Sequence, residues 1–188
     1  MDSRINNIIT RSAWIAFFVF VIRYFLGYVE VLSFLKCEIW YDYFGAASEA
    51  IAITAILFII YDKWLWQFNP LDPTPKIKGD YTGKIIYNFN GQNKRKNLKV
   101  HISQTSLKVS VKITTNEITS NTITSDLIEE NDEYVLYYTY ITNPSSQYSE
   151  QNPIQHGTCR LIQPEKNKLK GQYWTSRKTI GDIELTKQ

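Results

Sequence analysis

The chain has 188 residues, with 21 Lys and Arg against 18 Asp and Glu and a formal charge of +3. So mild an excess does not point to a DNA or RNA polymer as partner. The mean hydropathy of −0.28 is that of a soluble protein only because two unlike parts cancel.

Two apolar runs open the chain, at about 14–35 and 46–66. At about 1.5 Å per helical residue, each is long enough to cross a hydrocarbon core of ~30 Å. The first exceeds a signal-peptide h-region and leads into Lys36-Cys37-Glu38-Ile39-Trp40 rather than a small-residue cleavage site. Residues 1–68 are therefore expected to form a two-span transmembrane hairpin. Arg4 and Arg11 precede the first run, Lys63, Lys76 and Lys78 follow the second, and the loop between has only Lys36. The positive-inside rule then puts both termini in the cytoplasm. Trp14, Trp40, Trp64 and Trp66, with Tyr41, Tyr43 and Tyr61, stand where an interfacial aromatic belt belongs.

Arg23 falls mid-span, where an Arg costs about 2.5–3.5 kcal/mol and needs a partner or a wet face. Glu30 returns to nearly the same helix face, and Glu49 lies at a similar depth in the second span. They read either as an ion pair locking the hairpin or as a polar face used when hairpins assemble. Ala46, Ala50 and Thr54, with Ser48 and Ala52, are spaced for close helix approach.

Residues 69–78 hold three prolines within Asn69-Pro70-Leu71-Asp72-Pro73-Thr74-Pro75, a short stiff linker. Beyond it the period changes to two. Strands are expected at about 79–90, 98–104, 107–115, 118–127, 133–142, 154–163, 169–177 and 182–186, separated by turn signals such as Asn90-Gly91 and Asn143-Pro144. Short connections favour an antiparallel up-and-down order, and eight strands can close into a small barrel over residues 79–188. A two-sheet sandwich is the alternative.

Alternation places Leu98, Val100 and Ile102 on an inward face, as it does Leu107, Val109, Val111 and Ile113. The rows carrying Tyr81, Tyr138 and Tyr140, and Tyr173, Thr175 and Arg177 make the interior partly polar. Tyrosine faces can stack on bases, Arg offers a planar fork to phosphate, and Thr adds a neutral donor. Those six residues are the candidate ligand site. Arg177 must meet an acid, an anionic ligand or the wet mouth of the barrel.

Nucleotide-loop, serine-hydrolase, zinc-protease and dinucleotide-fold motifs are all missing, and His101 and His156 fall in different strands. No enzymatic activity, metal or cofactor is expected. Cys37 and Cys159 lie on opposite sides of the expected membrane, so no disulfide is expected either. Lys94-Arg95-Lys96 reads as a solvated hairpin tip or a contact with anionic headgroups. A membrane-tethered lipocalin-like binder of an apolar molecule is the rival function.

Two spans, then Gly79-Asp80-Tyr81-Thr82-Gly83, then a β-rich domain ending in Gly171-Gln172-Tyr173-Trp174-Thr175-Ser176-Arg177-Lys178-Thr179-Ile180-Gly181-Asp182-Ile183-Glu184-Leu185 resembles a known family. It is that of the two-span, β-rich effectors of bacterial CBASS antiphage operons called CD-NTase-associated protein 15. The resemblance covers essentially the whole chain. It implies an antiphage effector of the bacterial inner membrane. A cognate nucleotidyltransferase makes a cyclic dinucleotide on infection, the cytoplasmic barrel binds it, the chain self-associates, and the spans disrupt the lipid bilayer to abort the infection. Arg23→Leu should then keep ligand binding but blunt dye leakage from liposomes; full leakage would remove Arg23 from the mechanism.

Overall fold

The structure is a computed structural model that describes residues 10, 12–22, 39–70, 72–89, 92–131 and 133–188. The chain divides into two compact units, Met1–Trp66 and Gln67–Gln188.

In the first unit, the described part of the first apolar run is an apolar helix, α1 (Ser12–Ile22). Arg23 and Glu30, expected on the first span, lie outside the described residues, as does Cys37. Helix α2 (Ile39–Ile60) runs on through a π-helical turn, Tyr61–Leu65, and a 3-10 turn, Trp66–Phe68. Among the described residues, Ala47–Phe68 is the one helical stretch long and apolar enough to cross a membrane. Ile51, Ile53, Ile56 and Ile59 are all exposed, so the helix is apolar well beyond one core-facing stripe. Of the small-residue row, Ala50 and Thr54 are buried, and Thr54 Oγ1 donates to Ala50 O at 2.7 Å. Glu49 is exposed on the same helix.

The second unit is a closed barrel whose eight antiparallel strands neighbour one another in chain order. They are β1 (Gly79–Phe89), β2 (Gln92–Gln104), β3 (Val109–Thr114), β4 (Ile118–Glu130), β5 (Glu133–Pro144), β6 (Gln155–Glu165), β7 (Lys168–Thr175) and β8 (Ile180–Lys187). All eight expected strands are present and the sandwich alternative is set aside. β1 and β8 close the wall over seven register pairs, from Tyr81 with Lys187 to Tyr87 with Gly181. Closure removes the edges that an open sheet would expose.

Period-two burial follows the sequence. Leu98, Val100, Ile102, Val109, Val111, Leu136, Leu161 and Leu185 point into one core. Leu107 does not. It sits in the β2–β3 turn and is 46% exposed, because β3 begins only at Val109. Lys94, Arg95 and Lys96 are not a hairpin tip, since β2 starts at Gln92 and pairs them with β1.

One seam is thin. β3 meets β4 at three register positions, against eleven between β1 and β2. Below them side-chain hydroxyls replace the ladder. Thr122 Oγ1 accepts from Val111 N and donates to Val111 O, each at 2.8 Å, and the Ser125 hydroxyl donates to Val109 O. The Ser- and Thr-rich stretch of β4 thus satisfies backbone groups that would otherwise be unpaired.

The linker seals one end. Ile77 is 1% exposed beneath the barrel, and its N–H donates to Gln104 Oε1 at 2.9 Å. Gln104 Nε2 donates to Pro75 O at 2.9 Å, and Tyr81 OH donates to Ile77 O at 2.8 Å. One buried amide therefore ties down two linker backbone groups. Gln104→Ala should lower stability by about 2–4 kcal/mol, from two lost hydrogen bonds, an orphaned Ile77 N–H and a cavity. Denaturant titration of the full chain in detergent measures this, and a loss under about 1 kcal/mol would deny the plug its structural weight.

Candidate functional site

An up-and-down barrel gathers alternate turns at alternate ends. The linker, the β2–β3, β4–β5 and β6–β7 turns and the C-terminus share the sealed end. The β1–β2, β3–β4, β5–β6 and β7–β8 connections share the other, which no linker plugs.

The inward rows become polar toward that second end. Tyr138, Tyr140 and Thr142 succeed one another on β5, and Tyr173 and Thr175 on β7. Cys159 is 0% exposed between Tyr138 and Tyr173 by register. The Tyr138 and Tyr140 rings lie 5.9 Å apart between centroids at 45°. Gly157 faces Tyr140 across the β5–β6 pair, and a Cβ there would collide with the Tyr140 ring. Glycine at this strand position makes room for an aromatic side chain.

Among the described residues, two buried polar atoms in this half of the barrel have no partner, Thr175 Oγ1 and Gln155 Oε1, and the buried Tyr138 hydroxyl has only the soft Cys159 thiol. Buried polar groups are almost always satisfied in folded proteins. Each orphan costs about 1–3 kcal/mol. They lie in the part of the core that holds Tyr138, Tyr140 and Tyr173.

The rim carries charge. Lys96 lies two residues before Leu98 on β2 and shares its inward face. Its Nζ is 2.5 Å from Glu117 Oε2 in the β3–β4 turn. The same carboxylate oxygen accepts from Asn152 Nδ2 at 3.0 Å, and Glu117 O accepts from Ser145 N at 2.9 Å. Glu117 thus joins β2 to the β5–β6 loop across the mouth.

The six expected ligand residues separate into groups. Tyr138, Tyr140, Tyr173 and Thr175 come together as inferred. Tyr81 is inward but near the sealed end, six residues before Tyr87, on the order of 20 Å along the strand. Its hydroxyl is already bound to the linker. Arg177 does not continue the inward row, because β7 ends at Thr175. It sits exposed in the β7–β8 turn at the rim, with Nη1 3.5 Å from Gln151 O. Lys96, Glu117 and Gln155 were not among the ligand residues expected from the sequence, where Lys96 was read only as part of the Lys94-Arg95-Lys96 run. The alternation Lys94, Lys96, Leu98, Val100 was a signal for the first; nothing local pointed to the other two.

Burial sets the protonation of the interior. It pushes the Cys159 thiol up to about 12, with the adjacent Tyr138 hydroxyl pulling the other way. It pushes Tyr173 up to about 12, helped by Tyr87, Cys159 and Asp182, and it raises Tyr138 and Tyr140 well above the usual phenol. All four are neutral at physiological pH. In the unfolded chain the thiol ionises near 9 and the phenols near 10. Stability should therefore be flat up to about pH 8 and fall as pH rises from 9 toward 12, by up to about 1.4 kcal/mol per pH unit for each group. Denaturant midpoints at pH 7, 9 and 10.5 test this, and Cys159→Ala should shrink the earliest part of the slope.

Buried tyrosines beneath a rim that carries Lys96, Glu117 and Arg177 bring aromatic rings and charge to the same end of the barrel. Residues 72–187 match the family model described as Cap15, cyclic dinucleotide receptor domain. Over the whole chain, the protein is 37% identical across 191 residues to CD-NTase-associated protein 15 of Staphylococcus schleiferi, covering 100% of this chain and 99% of the relative. The chain belongs to the Cap15 family, and its barrel is that family's cyclic dinucleotide receptor domain.

Proposed function

We propose that this protein is a CBASS effector whose barrel binds a cyclic dinucleotide, and that binding drives self-association and disruption of the bacterial inner membrane. The observation that carries this reading is the pair of orphaned interior atoms, Thr175 Oγ1 and Gln155 Oε1, with the poorly satisfied Tyr138 hydroxyl beside them, beneath a rim that holds Lys96 and Arg177. A cyclic dinucleotide supplies base edges and ribose hydroxyls for the interior atoms and two phosphodiester charges for the rim. Tyr140 and Tyr173 offer faces for stacking, worth about 1–3 kcal/mol per base. The same orphans weigh against the apolar-ligand alternative, since an apolar guest would leave them unsatisfied.

At the rim, a phosphate competes with Glu117 for Lys96, while Arg177 swings from its long contact with Gln151 O. Breaking the Lys96–Glu117 bridge frees the strap to Asn152 and Ser145. That couples occupancy to the β5–β6 loop. The chain works by binding rather than catalysis. Self-association follows if the ligand prefers the assembled state, for a ligand shifts an equilibrium only by its differential affinity. The short proline linker then turns clustering of barrels into clustering of apolar helices held in the membrane, with both termini and the barrel cytoplasmic.

Calorimetric titration of the full chain with cyclic di-AMP, cyclic di-GMP and a mixed-base cyclic dinucleotide tests the reading. Lys96→Ala and Arg177→Ala should each weaken binding about tenfold or more, the scale of one charge-assisted contact. Tyr81→Phe should leave affinity within about twofold. Unchanged affinity in both cation variants would move the phosphates elsewhere. Loss of affinity in Tyr81→Phe without loss of fold would place the guest at the sealed end.

A further inference from the structure

Charge on the barrel wall is segregated by strand. Residues 92–114, spanning β2 and β3, carry Lys94, Arg95, Lys96, Lys99, Lys108 and Lys112 and no acid. Residues 118–144, spanning β4 and β5, carry Asp126, Glu129, Glu130, Asp132 and Glu133 and no Lys or Arg. Two neighbouring quarters of one small barrel therefore have opposite sign.

The basic quarter has a groove on its outer surface. Asp80, Lys99, His101, Lys112, Thr114 and Gln188 line about 180 Å³. Lys99 and His101 are alternate, exposed positions of β2, and Lys112 stands opposite His101 on β3. Its one acidic side chain, Asp80, has Oδ1 2.6 Å from His101 Nδ1. Lys99 and Lys112 outnumber it, so the side chains of the groove carry a net positive charge. Its volume falls below the ~300–1,000 Å³ of small-molecule pockets.

The acidic quarter ends in a projection. Ser125 stands opposite Val109, the first residue of β3. The β4–β5 hairpin from Asp126 through Glu133 therefore extends beyond β3, and Asp126, Glu129 and Glu133 are exposed on it. Groove and hairpin lie toward the same end of the barrel, the end at which the linker arrives, because Asp80 is the second residue of β1 and β4 runs antiparallel to it in sense. Each surface alone repels its own copy, so a symmetric pairing of hairpin with hairpin or groove with groove places like charges together.

We infer that the acidic β4–β5 hairpin of one chain docks in the Lys99–Lys112 groove of a second copy, making the contact through which barrels assemble. The inference rests on the self-association proposed above and names its interface. Donor and acceptor surfaces differ, so the contact is heterologous. It leaves one free groove and one free hairpin on every pair and can repeat instead of stopping at a dimer. Such a contact depends on salt, because its charges lie at a solvated surface.

The experiment uses the full chain in nanodiscs or detergent, with cyclic di-AMP, cyclic di-GMP and a mixed-base cyclic dinucleotide, and reads binding by calorimetry and assembly by light scattering and cross-linking. The wild type should assemble on binding. Lys99→Glu/Lys112→Glu and Glu129→Lys/Glu133→Lys should each retain binding but raise the concentration for half-assembly about tenfold or more. An equimolar mixture of the two should recover assembly, since alternating copies restore opposite charge at every contact. Lys99→Gln/Lys112→Gln provides a milder variant, expected to weaken assembly and flatten its salt dependence. Both reversals assembling like the wild type, or a mixture that stays dispersed while each component binds ligand, would overturn this interface and leave self-association standing. A wild type that binds but never assembles would overturn the self-association reading, and the interface with it.

Discussion

Everything in the barrel depends on β1 reaching β8. Their seven register pairs join residues about a hundred positions apart, and without them the wall is an open sheet with two edges. The join needs a close backbone approach at Gly83, where any side chain would run into the Glu184 carbonyl. Because the first and last strands are partners, closure is the last ladder the chain can complete, and contacts of such separation fold slowly. The reward is an interior with two unlike ends, one packed by Ile77 and the linker, the other ringed by Tyr140, Tyr173, Thr175 and Lys96.

That polarity makes chemical sense of the interior. At the sealed end each polar atom that enters the core is matched: Tyr81 OH to Ile77 O, Gln104 to both Ile77 N and Pro75 O. At the other end, Thr175 Oγ1 and Gln155 Oε1 stay unsatisfied and the Tyr138 hydroxyl has only the Cys159 thiol. The contrast lies within one core, so loose packing of the whole barrel does not account for it. On the binding proposed above, stability is given up where a guest would return it.

The wall shows a second division of labour. Inward positions serve folding and the guest, while outward positions are left to charge. The thin β3–β4 seam sits between the basic and acidic quarters, where Thr122 and Ser125 hydroxyls stand in for ladder bonds. A full-length β3 would have flanked the β4–β5 hairpin and covered its edge. The short strand leaves the hairpin projecting.

Strand number, strand order, and the change from apolar helix to β domain were legible in the amino-acid order alone, because periods of 3.6 and 2 are local properties. So was the inward direction of Tyr138, Tyr140, Tyr173 and Thr175, which follows from alternation within one strand. Local pattern failed where a strand ended. Leu107 and Arg177 keep the alternation of their neighbours but sit in turns, since ladder hydrogen bonds and not side-chain period set where β3 begins and β7 stops. The pairing of Lys96 with Glu117, and the separation of Tyr81 from the other tyrosines, needed the tertiary structure. Register around a closed barrel assigns each residue its height, and that register is a property of all eight ladders together, written in no single stretch of chain.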